Sequence, residues 1–377
     1  MLIKKSTSVE DVERYYSDAT TTSDKIEIVN GYKSLRIGLI PRLAQFFITL
    51  AKRTQIPFQF SWVKLNDTVS QKSIVNDPIC VSAILMSDEV FGDKGLPLKK
   101  LLNEQLVNRF TQPIFKNGRQ VQMMAVDHSI KRFANPECFY LSTEMGFINR
   151  DATYYYELLT SYFKEVNRTA DFKVTDFDGL SELLAELIDN TDQHGKYDFN
   201  QGIFDKSVRS VVLTSHMLRK GDDISKSCGV NNPIADYINS VKSVDSTLHL
   251  LEISIFDSGP GIYKSFNKDT NNVSINDEAS VLFKSFLNGV TSKVNGFGVG
   301  RGLNKARLIL NKRSGFIAIR SGRLSVYRDY KATPLTDLKN LDSLDIKFFD
   351  ENTRQGSEYS EMSYVEGVSY TILVPLR

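Results

Sequence analysis

Cysteine is scarce and scattered: Cys80, Cys138 and Cys228 are the three in 377 residues. An odd, widely spaced set without a CxxC pair argues against a disulfide framework or a cysteine zinc site, and it fits a reducing compartment. Histidine is almost as sparse, and His128, His194, His216 and His249 show no HExxH or similar metal spacing. No apolar run approaches the ~18 residues of a membrane-spanning helix. The opening MLIKKSTSVEDVERYY has no long apolar stretch of the signal-peptide kind. A cytoplasmic protein without a membrane partner is expected. Net charge is nearly absent too, since 47 Lys and Arg against 45 Asp and Glu leave +2. That balance gives no electrostatic case for nucleic acid.

What is present suits a globular α/β protein long enough for two domains. Residues 1–150 read as a smaller α/β domain of regulatory or other role. Strands are expected at 25–29, 57–63, 79–86 and 120–126, and helices at 40–54 and 98–110. Nothing there carries a chemical signature, and His128 reads as a structural or exposed histidine. Residues 151–377 read as the second domain. It opens with an aromatic helix at 153–166, whose Tyr154, Tyr155, Tyr156 and Tyr162 would pack on the first domain or a second subunit.

The informative stretch is residues 180–195, LSELLAELIDNTDQHG. Leu180, Leu183, Leu184, Leu187 and Ile188 have the offsets of an apolar helical stripe. Glu182, Glu186, Asn190 and His194 are four apart and stack along another face. Asp176 or Asp178 would cap the start and Gly195 the end. Strands are expected at 208–214 and 248–256, the second running into Asp257-Ser258-Gly259-Pro260-Gly261. Polar insertions at 217–246 and 331–362 flank a helix at 279–287, a glycine-rich run at 296–302 opening a helix at 303–311, and a hairpin at 315–327. A last strand covers 369–374.

Each part has a chemical use. Asn190 is a neutral oxygen ligand suited to a Mg²⁺ ion that also holds phosphates and waters. Glu186, one turn earlier, can polarise a water. Asp257 at a strand end can accept from an exocyclic amine such as adenine N6. Gly259 and Gly261 allow a flat base to approach the backbone. The run through Gly298, Gly300 and Gly302 into a helix offers N–H groups to phosphates. Taken singly, each also fits an ordinary solvated helix face or turn. The run is neither a Rossmann nor a Walker A loop.

ELLAELIDNTDQHG, DSGPG and GFGVGRGL, in this order, resemble the N box and two glycine boxes of the GHKL ATPase superfamily of gyrase B, the ninety-kilodalton chaperones, histidine kinases and mismatch-repair ATPases. The segment 367–372 (GVSYTI) resembles its last box. The resemblance covers 180–377. It implies a Bergerat-type α/β sandwich, a mixed sheet with helices on one face, binding Mg-ATP under a lid at about 262–297. It implies that Asn190 holds Mg²⁺, that Glu186 is the general base and that Asp257 holds adenine. Gly259 and Gly261 would line the base, Thr371 would support Asp257, and Gly298, Gly300, Gly302 and Leu303 would border the phosphates. A slow ATPase switch with a protein partner or a second copy is expected. The alternatives are a protein kinase of the anti-sigma or histidine-kinase kind, suggested by the His194-Gly195 ending, and an ATP-sensing module without turnover. No phosphoacceptor-histidine helix precedes the N box and no transducer domain with a catalytic lysine follows the last box, which weighs against self-phosphorylation and gyrase-like coupling.

Overall fold

A computed structural model of the chain describes residues 1–4, 6–22, 25–29, 36–107, 109, 111–116, 118–126, 136–167, 177–197, 202–229, 232–242, 247–267, 272–287, 302–335 and 346–376. The N-terminal part runs β1 (Leu2–Ile3), α1 (Val9–Thr22), β2 (Ile26–Ile28), α2 (Leu39–Arg53), β3 (Phe58–Phe60), α3 (Thr68–Val75), α4 (Pro78–Met86), β4 (Val90–Phe91) and α5 (Lys99–Leu106). Its four strands pair in parallel in the order β1-β2-β3-β4. Parallel neighbours need crossover segments, and the helices between them serve as those.

The expected strand at 79–86 is instead the helix α4. Asp77 accepts hydrogen bonds from the N–H groups of Ile79 and Cys80 at 2.9 and 3.1 Å, and Pro78 occupies the first turn. Every residue of α4 is buried. A helix that is apolar all round gives no period to read, so a short apolar run cannot be told from a buried strand.

The chain continues through β5 (Ile114–Lys116), β6 (Gln120–Val126), β7 (Tyr140–Thr143), β8 (Gly146–Asn149), α6 (Ala152–Asn167), α7 (Asp178–Gly195), β9 (Val208–Leu218), α8 (Ile224–Cys228), α9 (Pro233–Val241), β10 (Leu248–Asp257), α10 (Ile262–Phe266), α11 (Ile275–Ser285), α12 (Gly302–Lys312), β11 (Phe316–Gly322), β12 (Leu324–Asp329), β13 (Phe349–Asp350) and β14 (Val365–Leu376). Strands β7 and β8 form a hairpin. The others form an eight-stranded sheet, β13-β12-β11-β14-β10-β9-β6-β5. Each neighbouring pair in it is antiparallel, where a mixed sheet was expected. Because β5 and β6 precede residue 150, this sheet takes strands from both sides of that position.

Side-chain alternation divides the sheet's two faces. Leu251, Ile253 and Ile255 of β10 join Val211, Leu213, Ile317, Ile319, Tyr370 and Ile372 in one core, against α6, α7, α11 and α12. On the other face Phe256, Val212, Val208 and Met124 pack with α2 and α4. Leu250, Ala318 and Leu373 pack there with Tyr237 and Ile238 of α9. Helices therefore cover both faces, where the expectation was one. The insertion at 217–246 contributes to the covering, because α9 buries an apolar side. Among the described residues no helix is long and apolar enough to cross a membrane.

Helix α2 meets the second face through a polar row. Arg42, Gln45, Thr49 and Lys52 recur at spacings that share one helix face. Arg42 reaches Ser325 at 2.8 Å and Glu351, and Gln45 accepts from the Ser369 hydroxyl at 2.8 Å and donates to the Arg320 carbonyl at 3.1 Å. Thr49 accepts from the Glu366 N–H at 3.0 Å. The fully buried Arg320 pairs with Glu13 of α1 at 3.0 Å. Burial alone would raise the Glu13 pKa, but Arg320 and Arg42 together hold it below the usual range. Arg320→Met would leave Glu13 with only the longer Arg42 pair and should cost about 3 kcal/mol. Urea denaturation measures it, and an unchanged midpoint would show that the pair contributes nothing.

Candidate functional site

Helix α7 is set by its leucines. Leu180, Leu183, Leu184, Leu187 and Ile188 are fully buried, which turns the row Glu182, Glu186, Asn190, His194 toward the opposite edge. Successive members of that row rise about 6 Å along the axis. Phe177 occupies the N-cap position without a side-chain cap, and Gly195 is the last helical residue; Asp176 lies outside the described residues. The C-terminal end is pinned by charge. Asp192 lies 2.8 Å from Arg209 of β9 and 2.9 Å from Lys196, and the Tyr140 hydroxyl donates to it at 2.5 Å. Asn149 donates to Asp189 at 2.7 Å. Burial would raise the Asp192 pKa, but Arg209 and Lys196 hold it low, so the anchor stays ionised.

That end of α7 rests on the turn after β10. Asp257 is buried. Both of its hydrogen bonds use Oδ1, which accepts from the Gly259 N–H at 2.9 Å and the Val368 N–H at 3.3 Å. A side chain at Gly259 would come within 2.2 Å of the His194 carbonyl, so only glycine lets the turn pass under α7. Gly195 is equally close, with 2.9 Å from its would-be Cβ to the Asp257 Cβ. Burial pushes the Asp257 carboxyl up to about 6, against the pull of the two N–H groups, Lys52 and Arg209. Gly261 has φ +86°, its would-be Cβ 3.1 Å from the Ser321 Oγ, and precedes α10.

The start of α12 closes the other end of the row. Gly302 is its first residue, and a Cβ there would lie 2.8 Å from Glu186 Oε2 and 3.3 Å from Asn190 Nδ2. The helix can approach the pair this closely only because that position carries no side chain. Asn190 Nδ2 is buried and has no hydrogen-bond partner among the described residues, an open donor position. Lys305, one turn along α12, lies 3.8 Å from Glu186 and 3.4 Å from Glu182. Leu303 is partly buried against the core of this face.

Glu186, Asn190 and Gly302 are thus brought together, and Asp257, Gly259 and Gly195 meet at the C-terminal end of the same helix. Thr371 is not beside Asp257. Tyr370 and Ile372 point to the α7 face, so Thr371 points to the other, where it lies 3.7 Å from the Cβ position of Gly38. The backbone of Val368 does the holding expected of it. Gly298 and Gly300 lie outside the described residues, as do His128 and residues 288–297 and 268–271 of the expected lid. Lys52 was missed. Its ammonium donates to the Ser258 carbonyl and sits 3.8 Å over the Phe204 ring. The signal was available: a polar residue every third or fourth position in the otherwise apolar LIPRLAQFFITLAKR.

Among the described residues no cluster of three His, Cys, Asp or Glu could hold a metal. For a Mg²⁺ ion, Asn190 Oδ1 would then be the protein's ligand, with phosphates and waters completing the shell. No family model matches this chain, and no curated protein matches it.

The raised Asp257 pKa predicts a slope in stability. Between about 4 and 6 the folded state binds the proton that the unfolded chain has lost, so stability falls as pH rises through that window. A shift from the ordinary 3.8 to about 6 corresponds to roughly 3 kcal/mol. Asp257→Asn should remove the fall, which urea denaturation at pH 4 and pH 7 measures; an identical difference in the variant would assign the slope to another group.

Proposed function

We propose that the chain is a Mg-ATP-binding protein of the GHKL type, with a Bergerat-type site on the α7 face of its eight-stranded sheet, working as a slow ATPase switch. The observation that carries this reading is the buried Asn190 Nδ2, a donor without a partner among the described residues and so suited to a phosphate oxygen, next to Glu186 and under the first residue of α12, on the helix whose C-terminal end rests on Asp257. Asp257 Oδ1 is committed to backbone donors, which leaves Oδ2 to accept from the adenine amine. The start of α12 would face the phosphates, and Asn190 would hold the metal, which neutralises phosphate charge when bound. Glu186 would take the proton of a water whose oxygen attacks the γ-phosphorus, as the bond to the ADP oxygen breaks. Helix α2 holds the 257–261 turn through Lys52, so nucleotide binding would be felt by residues 1–150.

One observation favours binding without turnover: Lys305 lies 3.8 Å from Glu186, and a carboxylate engaged with an ammonium is not free to receive a water.

Three variants separate these readings. In wild type, Mg-ATP at a hundred times its Kd should add ~2.7 kcal/mol of stability, seen as a higher Tm. Asn190→Ala should lose the Mg²⁺ dependence of that gain. Glu186→Ala should keep the gain and lose phosphate release; a wild type that binds ATP but releases no phosphate leaves the sensing reading standing. In Asp257→Asn the amide oxygen must take the place of Oδ1, so an NH₂ group faces the base. Adenine nucleotides should then bind at least tenfold more weakly, about 1.4 kcal/mol. Equal affinity in that variant would place the base elsewhere.

A further inference from the structure

A cavity of about 310 Å³ opens beside the 257–261 turn, and neither α7 nor α12 lines it. Its walls come from α10, α11, the turn between β11 and β12, the end of α2, and Tyr364. The volume is at the lower end for small-molecule sites, which run from about 300 to 1,000 Å³.

The cations on its wall are unequally matched. Arg323 is saturated, holding Glu278 at 2.7 Å, Glu361 at 2.7 Å and the Val273 carbonyl at 2.6 Å. Arg53 has one long pair, its Nε 3.5 Å from Glu366. Lys264 has no salt-bridge partner among the described residues. Its ammonium lies 4.3 Å from the centre of the Tyr364 ring, and the Arg53 guanidinium lies 4.5 Å from the same centre. The Tyr364 hydroxyl donates to the Pro260 carbonyl at 3.3 Å, which fixes the ring. Two like charges near one ring repel each other, and an anion bound beside them relieves that repulsion. Tyr263 adds a second aromatic wall.

We propose that this cavity binds a small organic anion, with its carboxylate or phosphate held by Lys264 and Arg53 and its planar body laid against Tyr364 and Tyr263. The cavity borders the proposed nucleotide site, sharing Gly261 and the start of the expected lid, but none of the α7 or α12 residues lines it, so the anion site stands without that reading. Charge supplies the recognition: a guanidinium and an ammonium accept either anion, and the rings prefer a flat neighbour.

Calorimetric titration of the full chain with phenyl phosphate, benzoate and benzyl alcohol tests this. At least one of the two anions should bind with millimolar or tighter affinity while the neutral alcohol does not, and the better anion names the ligand class. Lys264→Met and Arg53→Gln should each weaken that anion at least tenfold, about 1.4 kcal/mol. The well-exposed Lys226→Met and the nucleotide-site Asn190→Ala should leave it unchanged. Lys264 and Arg53 lie at the rim, so an unaltered Tm should accompany their loss of binding. The proposal is overturned if neither anion binds, if the alcohol binds as well, or if Lys264→Met and Arg53→Gln bind like wild type. Loss in Asn190→Ala with retention in Lys264→Met would also overturn it, by placing the anion on α7.

Discussion

The buried carboxylate of Asp257 is the constraint around which the proposed site is arranged. It lies where β10 ends, where α7 ends above it, where β14 begins beside it and where α2 reaches it from the opposite face through Lys52. A carboxylate taken out of water is costly unless something compensates it. Here two backbone N–H groups and a nearby ammonium do so in part, and the carboxyl still sits near 6. Glycines at 195 and 259 are what allow the surrounding backbone to close so tightly. The price of that closeness is a group that is neither well solvated nor fully paired, the condition in which binding an amine becomes favourable.

The same turn ties the two halves of the chain together. Helix α2 belongs by sequence to the first 150 residues, yet its polar row bonds to β11, β14 and the 257–261 turn. Its apolar residues lie in the core that holds the parallel sheet. Buried polar bonds of this kind are directional, so they fix how α2 sits on the sheet. A change in the turn would be transmitted to α2 through Lys52, with no hinge required.

Legibility followed periodicity. Helix α7 and strand β10 were readable because each buries one face and shows a clean period, 3.6 for the one and 2 for the other. The row Glu186, Asn190, His194 followed from the helix alone. Helix α4 was unreadable because it is buried on every side, and β6 was recognised as a strand without any sign of which sheet it would enter. Thr371 was placed by resemblance. One residue of offset along a strand exchanges its faces, and the side chain lies across the sheet from Asp257.

By itself the sequence determined the local elements of the site: an amphipathic helix with a polar row, a strand ending in an acid, and glycines where the backbone turns. Those follow from the chemistry of neighbouring residues. Only the tertiary structure decided that Asn190 is left with an unpaired buried amide, that Gly302 meets Glu186, that Lys52 lies under the turn and that helices cover both faces of the sheet. Pairing across the sheet and packing between distant segments are set by contacts separated by tens to hundreds of residues, and no local period records them.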